Sequence, residues 1–241
     1  MDLGLNGKRA LVLGSSQGIG AEIARVLARE GCNVYVGARR LDHIQSLADE
    51  LSEEFNVDAK AYPIDLSDGI SVEKLCEMIT HEWKIDILLN NAGGPPPSPS
   101  TGVPDEIWES SLQSLLMSTI RLSEAAVKGM RERGWGRILT VASSGVIQPI
   151  PNLAVSNTVR SAVVGFTKTL SNEVAKDGIT VNMVLPGRID TERLASIHEA
   201  SANKQGMTYE EFRDNSRSSI PARRFGTAKE FAEVAVFLMS V

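Results

Sequence analysis

The chain is poor in the residues that staple, ligate or anchor. It holds only two cysteines, Cys32 and Cys76. Neither has metal-type spacing around it, so no disulfide scaffold and no metal module is expected. Both thiols read as structural in a reduced, cytoplasmic setting. No apolar run is long enough to span a bilayer, and the stretch Met1–Lys8 lacks the apolar core of a signal peptide. Positive charge is short as well. Against 30 acidic residues stand 25 Lys and Arg, a net charge of −5, which gives no basic surface for nucleic acid or an anionic membrane. There is no internal repeat, and Pro95–Pro97 is the only low-complexity stretch. What remains is ordinary for a globular protein: 42% hydrophobic and 23% charged residues over 241 positions. The length suits one sizeable α/β domain covering 1–241.

The most informative stretch is Gly14-Ser-Ser-Gln-Gly18-Ile19-Gly20. It follows the apolar run Arg9–Leu13, which reads as a buried parallel strand. It opens a segment with apolar residues at Ile19, Ile23, Val26 and Leu27, which is helical spacing. Gly14 then allows the tight turn, Gly18 lets the backbone approach a pyrophosphate, and Gly20 lets the helix pack on the strand. The bare helix N-terminus, with Ser16 beside it, offers N–H groups to phosphates. An ordinary strand-to-helix turn also uses glycine; position after the first strand is what favours dinucleotide binding.

The rest of the chain alternates. Strands are expected at Asn33–Gly37, Val57–Ile64, Ile85–Leu89, Arg137–Val141 and Ile179–Leu185. Helices are expected between them, the longest over Asp105–Arg133 and Ala154–Lys176. This rhythm predicts a Rossmann-type, doubly wound parallel sheet with helices on both faces. The candidate residues follow the C-terminal ends of strands, where ligands bind in such sheets. The polar segment 188–225 breaks the rhythm and reads as a substrate lid or loop, or else as a merely solvated excursion.

These residues resemble the short-chain dehydrogenase/reductase family over essentially the whole chain. The resemblance rests on the glycine turn, Asp65, Asn90-Asn91-Ala92-Gly93, Ser143 after the fifth strand, Pro186-Gly187 with Thr191, and Pro221–Glu230. Within the family the likeness is to the β-ketoacyl carrier-protein reductase type. The resemblance implies that Asp65 contacts the adenine, that Asn91, Ala92 and Gly93 line the adenosine ribose side, and that Pro186, Gly187 and Thr191 hold the nicotinamide end. An N-cap-like loop role for Asp65 stands beside that reading. It also implies a homodimer or homotetramer assembled through the two long helices, where Ala162, Val163 and Phe166 are either interface or core. The family continues from the last helix into a further edge strand, for which no counterpart is expected here.

Cofactor choice turns on the end of the second strand. An NAD enzyme places a carboxylate there for the ribose hydroxyls. Here Ala38 is followed by Arg39 and Arg40, whose guanidinium groups suit a 2′-phosphate. NADP(H) is therefore favoured over NAD(H), unless either arginine is an ordinary solvated charge.

The family's catalytic set of Ser, Tyr, Lys and Asn keeps only its serine, Ser143. The Tyr position holds Ser156, the Lys position Arg160, and the Asn position Leu115. A serine hydroxyl is shorter and far less acidic than a phenol, and Arg160 keeps charge without exchanging protons. Three substitutes are open: Ser143 with Ser156 and Arg160 polarising a carbonyl while water supplies the proton; Tyr209 or His198 swinging in as acid; and Arg188 binding an anionic substrate group or cofactor phosphate. The chain is thus expected to be an NADP(H)-dependent oxidoreductase acting on a small carbonyl or alcohol with an atypical proton donor. The alternative is a nucleotide-binding pseudoenzyme that serves as sensor or partner subunit.

Overall fold

A computed structural model of the chain describes residues 1–241. The first half alternates without exception: β1 (Arg9–Leu13), α1 (Gly18–Arg29), β2 (Asn33–Ala38), α2 (Leu41–Phe55), β3 (Ala59–Pro63), α3 (Gly69–His81) and β4 (Ile87–Asn90). Then come α4 (Asp105–Ser111), a π-helical turn (Leu112–Met117), α5 (Ser118–Arg133), β5 (Gly136–Val141), α6 (Ala154–Val174) and β6 (Ile179–Val184). The last part holds β7 (Ile189–Asp190), α7 (Glu192–Gln205), α8 (Tyr209–Ser218), β8 (Gly226–Thr227) and α9 (Ala228–Phe237).

Six strands pair in the order β3-β2-β1-β4-β5-β6, every pair parallel. The order reverses between β1 and β4, which makes the crevice beyond their C-terminal ends the expected ligand position. Alternation along β1 shows how the two faces are covered. Ala10 and Val12 pack into one core with α1, α2 and α9. Leu11 and Leu13 point the other way, into a core with α3, α5 and α6. Successive strand side chains leave on opposite faces, so a strand buried on both is apolar at every position. The predicted doubly wound sheet is thus the observed one, with β6 at its edge.

Element ends differ from the sequence reading in physically interpretable ways. The third strand starts at Ala59 rather than Val57, because α2 ends on Asn56 in the left-handed region at φ 53°. The fourth starts at Ile87 rather than Ile85; Asp86, just before it, accepts a bond from the Arg9 N–H at 3.0 Å. The long helix from Asp105 to Arg133 is interrupted by the π turn. Three hydroxyls there bond back to main-chain carbonyls one turn earlier, Ser111 to Ile107, Ser118 to Ser114 and Thr119 to Leu115 at 2.6–2.7 Å. Such back-bonding competes with the helical ladder.

The largest difference is segment 188–225, which is no loop. It forms α7 and α8 between the short parallel strands β7 and β8. Thr191 caps α7, and Thr208 with Glu211 forms a reciprocal capping box on α8. The Thr-x-x-Glu spacing at 208–211 was readable as a helix start; the low apolar content of the segment concealed it.

Candidate active site

Two glycines of the turn after β1 are required by contact. A Cβ on Gly20 would lie 2.2 Å from the Gly14 carbonyl oxygen, and one on Gly14 would lie 2.6 Å from the Asn91 carbonyl oxygen. The Asn91 amide donates to the Gly14 carbonyl at 3.2 Å, so the loop after β4 buttresses the turn. Gly18 sits at φ +61°, and a Cβ there would face the Thr191 side chain at 3.6 Å. The glycine turn and the start of α7 therefore meet across the crevice. The N-cap of α1, Gln17, provides no side-chain cap, so the first N–H groups of the helix keep their donors for a ligand. Ile19 packs partly against the core. This cradle of bare backbone suits the phosphates of a dinucleotide.

The end of β2 carries positive charge and no carboxylate. Ala38 is buried there, and Arg39 and Arg40 are exposed. Arg40 donates to the Gln17 side-chain oxygen and lies 3.4 Å from the Ser16 hydroxyl, which ties it to the glycine turn. Asp65 uses one carboxylate oxygen locally, accepting from the Ser67 N–H at 2.9 Å and its hydroxyl at 2.7 Å. Partial burial pushes this carboxyl up, but the two Ser67 bonds and the Arg39 charge prevail and hold it below the ordinary value. The cap of α3 is Asp68 instead. A 550 Å³ hollow lies beside the turn, lined by Ser16, Gln17, Gly18, Asp42 and His43 among others.

Ser143 follows β5 and accepts a bond from the Gly145 N–H at 3.1 Å. Its own proton is left to donate. Ser156 and Arg160 lie one turn apart on α6, 9% and 8% exposed. Arg160 donates to the Val141 carbonyl at 3.0 Å and the Ala92 carbonyl at 3.3 Å, strapping together the ends of β5 and β4. Burial, followed by the Arg193 charge, pushes its pKa down to about 10, so it stays cationic at neutral pH. Leu115 is buried in a small apolar cluster with Val155 and Val159, leaving no polar relay at that position. The proline-rich loop is fastened over the start of α6: the Ser98 N–H donates to the Asn152 carbonyl at 2.8 Å, and the Ala154 N–H to the Ser98 carbonyl at 3.2 Å.

Two neighbours escaped the sequence reading. Asn157 donates to the Ile150 carbonyl at 2.9 Å, and its amide oxygen would lie 2.4 Å from a Cβ on Gly145. It thereby braces the turn that carries Ser143. Arg193 donates to the carbonyls of Gly94 and Pro95, each at 3.3 Å. No local spacing signals either contact.

Two expectations are corrected, and Arg188 is placed. His198 is buried between α7 and α8, its Nε2 3.1 Å from the Ser216 hydroxyl and its ring against Phe212 and Phe225, so it is packing core and no swinging acid. Arg188 directs its Nη1 to the Ser216 carbonyl at 2.6 Å and to the Ser219 hydroxyl, so it pins α8. The Tyr209 hydroxyl is 3.3 Å from Arg213, which in turn holds Asp190 at 2.8 Å; this too is packing within segment 188–225. Pro186 and Gly187 lead out of β6, and the Thr191 hydroxyl accepts from the Leu194 N–H at 3.4 Å as helix cap. Of the helix-face candidates, Val163 is core, Phe166 packs on its edge, and Ala162 is exposed.

Known proteins share this fold. The family described as short chain dehydrogenase matches residues 8–202. The chain is 33% identical over 241 residues to the 3-oxoacyl-(acyl-carrier-protein) reductase FabG of Escherichia coli, covering 99% of this chain and 92% of that protein. Among solved structures, the L-sorbose reductase of Gluconobacter frateurii complexed with NADPH and L-sorbose superposes with a TM-score of 0.93 at 33% identity, over 100% of this chain and 92% of that one. An actinorhodin polyketide ketoreductase with NADPH gives 0.89 at 34% identity, over 96% and 90%.

Proposed function

This chain belongs to the short-chain dehydrogenase/reductase family, and from that premise we propose that it interconverts a small carbonyl compound and its alcohol using NADP(H). The observation that carries the reading is the bare glycine cradle with Arg40 tied to its rim and no carboxylate at the end of β2. A guanidinium there favours a 2′-phosphate and an acidic side chain would repel it. The NADPH-bound relatives support the same choice. Gly14, Gly18 and Gly20 with the α1 N-terminus would hold the diphosphate; Arg39, Arg40 and Ser16 the 2′-phosphate; Asp65, Asn91, Ala92 and Gly93 the adenosine side; Pro186, Gly187 and Thr191 the nicotinamide end. When bound, the nicotinamide supplies or accepts the hydride.

The chain's own residues handle the oxygen. Ser143 donates a hydrogen bond to the substrate carbonyl, its own acceptor need already met by Gly145. Ser156 makes no side-chain bond within the protein and adds a second hydroxyl. Arg160 supplies a fixed positive charge that favours the oxygen as it gains electron density. Neither group is acidic enough to release the proton, so water delivers it. The cytoplasm and an assembly of two or four copies suit this reading, and no helix is long and apolar enough to cross a membrane.

A second reading, nucleotide binding without turnover, draws on the apolar Leu115 cluster where a proton relay would sit. One experiment separates the two. Purified protein is titrated with NADPH and NADH by fluorescence, then the NADPH complex is mixed with a carbonyl panel and the loss of reduced-nicotinamide absorbance is followed. Preferential NADPH binding with turnover that falls in Ser143→Ala supports the oxidoreductase. Binding with no turnover across the panel supports the pseudoenzyme, and failure to bind either nucleotide removes both.

A further inference from the structure

Two arginines at the reacting end carry charge that nothing in the fold answers. Arg160 lies almost wholly inside, and its only partners are main-chain carbonyls, Val141 at 3.0 Å and Ala92 at 3.3 Å. Arg193, on the first turn of α7, also bonds only to carbonyls, those of Gly94 and Pro95. Neither takes part in an ion pair, although other arginines of the chain do. The nearby carboxylate of Asp190 is already held by Arg213 at 2.8 and 3.0 Å. The two guanidinium groups also converge. A Cβ on Gly94 would lie 3.4 Å from a terminal nitrogen of Arg193 and 3.8 Å from one of Arg160. Like charges drawn to one point in a partly dry site repel, and carbonyl dipoles satisfy N–H groups without cancelling the net charge. A guanidinium presents five donors in a fixed fork, and each of these two has donors to spare.

Position narrows what answers the charge. Gly94 belongs to the loop after β4, and Val141 ends β5 two residues before Ser143. The pair therefore flanks the reacting end of the crevice, while the glycine cradle after β1 carries the phosphate-type site. We infer that Arg160 and Arg193 form a two-pronged clamp for a carboxylate borne by the substrate, so that the compound reduced is an oxo acid rather than a neutral ketone. This rests on the oxidoreductase reading for the word substrate; the clamp itself does not. Arg160 is the buried prong, positioned by β4 and β5. Arg193 is the second prong, held on the loop after β4 by its bonds to Gly94 and Pro95 from the first turn of α7.

The test uses the full chain and oxalate as probe, with neutral oxamide as its isostere, measured by titration calorimetry with and without saturating NADPH. Oxalate is expected to bind and oxamide not. Arg193→Gln is expected to weaken oxalate about 10- to 100-fold, the loss of one charge-assisted contact, with Arg193→Lys recovering part of it and the NADPH affinity unchanged. Arg193 is exposed, so its removal leaves the fold intact, as an unchanged melting temperature would verify; Arg160→Gln serves as the second variant. Where turnover exists, kcat/KM for a 2-oxo acid relative to its amide falls by the same factor in Arg193→Gln. Absence of oxalate binding to the wild-type chain overturns the inference, as does equal binding by Arg193→Gln. Loss of NADPH affinity in that variant, with NADPH displacing oxalate, would assign the pair to the cofactor phosphates and also overturn it. If NADPH fails to bind but oxalate binding depends on Arg193, the clamp stands and the oxidoreductase reading falls.

Discussion

Replacing Gly20 by alanine tests whether the glycine turn is built by contact or merely tolerates glycine. On helix propensity alone the change is favourable by roughly 0.5–1 kcal/mol, since Gly20 lies inside α1 and alanine loses less chain entropy on folding. The contact argues the opposite. The new methyl would meet the Gly14 carbonyl oxygen at 2.2 Å and the Asn91 amide at 2.8 Å, against an ordinary C···O approach of about 3.3 Å. The first obstacle is main chain, so about 1 Å of movement must come from the turn itself. Overpacking of this kind costs about 1–3 kcal/mol, which outweighs the propensity gain and leaves a net loss near 1–2 kcal/mol. For a chain of this size that corresponds to a fall in melting temperature of roughly 2–8 °C. Gly165 is the internal control. It is exposed within α6 with nothing within 4 Å of its would-be Cβ, so Gly165→Ala should gain about 0.5–1 kcal/mol. Thermal and urea unfolding of both variants, with NADPH titration, give the answer. Gly20→Ala should be less stable and bind NADPH more weakly, because the bond from Asn91 to Gly14 is disturbed with the turn. A Gly20→Ala protein as stable as wild type, with undiminished NADPH affinity, would refute the reasoning.

Arg40→Ala should weaken NADPH about tenfold and leave NADH within error, the size of one exposed charge-assisted contact; equal effects on both nucleotides would make Arg40 a solvated charge. Leu115→Asn, which introduces the residue that the resemblance expects at this position, should destabilise by about 3 kcal/mol, since a buried side chain packed on Val155 and Val159 gives way to an amide without partners; an unchanged urea midpoint would show that the cluster is not tightly packed. Burial, then the charges of Arg213 and Arg188, hold the His198 imidazole below its ordinary value, against the pull of Asp190. The unfolded chain therefore binds that proton more readily, and the stability contributed is full above the unfolded pKa of about 6.5 and is lost as pH falls from there through the lower folded pKa. His198→Leu should flatten the fall in urea midpoint as pH drops below about 6.5, and an unaltered slope would place the titration elsewhere. Cys32 and Cys76 are pushed up to about 12 and about 11, chiefly by burial, so neither should react with a thiol reagent near pH 8 until the chain unfolds, and rapid labelling of the native protein would contradict that.

The sequence by itself determined the architecture, because the forces that select it are local and periodic. Ala10 and Val12 against Leu11 and Leu13 already declare a strand buried on both faces. The glycines after Leu13 mark a strand-to-helix turn whose close approaches only the missing Cβ permits. The identities of Leu115, Ser156 and Arg160 needed no coordinates, and the resemblance alone sets them at the family's catalytic positions. What only the tertiary structure decided is where each charge is spent. Arg188 and Arg193 look interchangeable along the chain, yet one ties its Nη1 to Ser216 and Ser219 while the other reaches the loop after β4. His198 looked like an acid poised over the site until Ser216, Phe212 and Phe225 closed around it. Arg160 meets Ala92 and Val141, and Asn157 meets Ile150 and Gly145, through the docking of α6 on strand ends far away in sequence. Contacts between distant segments leave no trace in periodicity or spacing, because they depend on how whole elements dock, and at this site those contacts assign the chemistry.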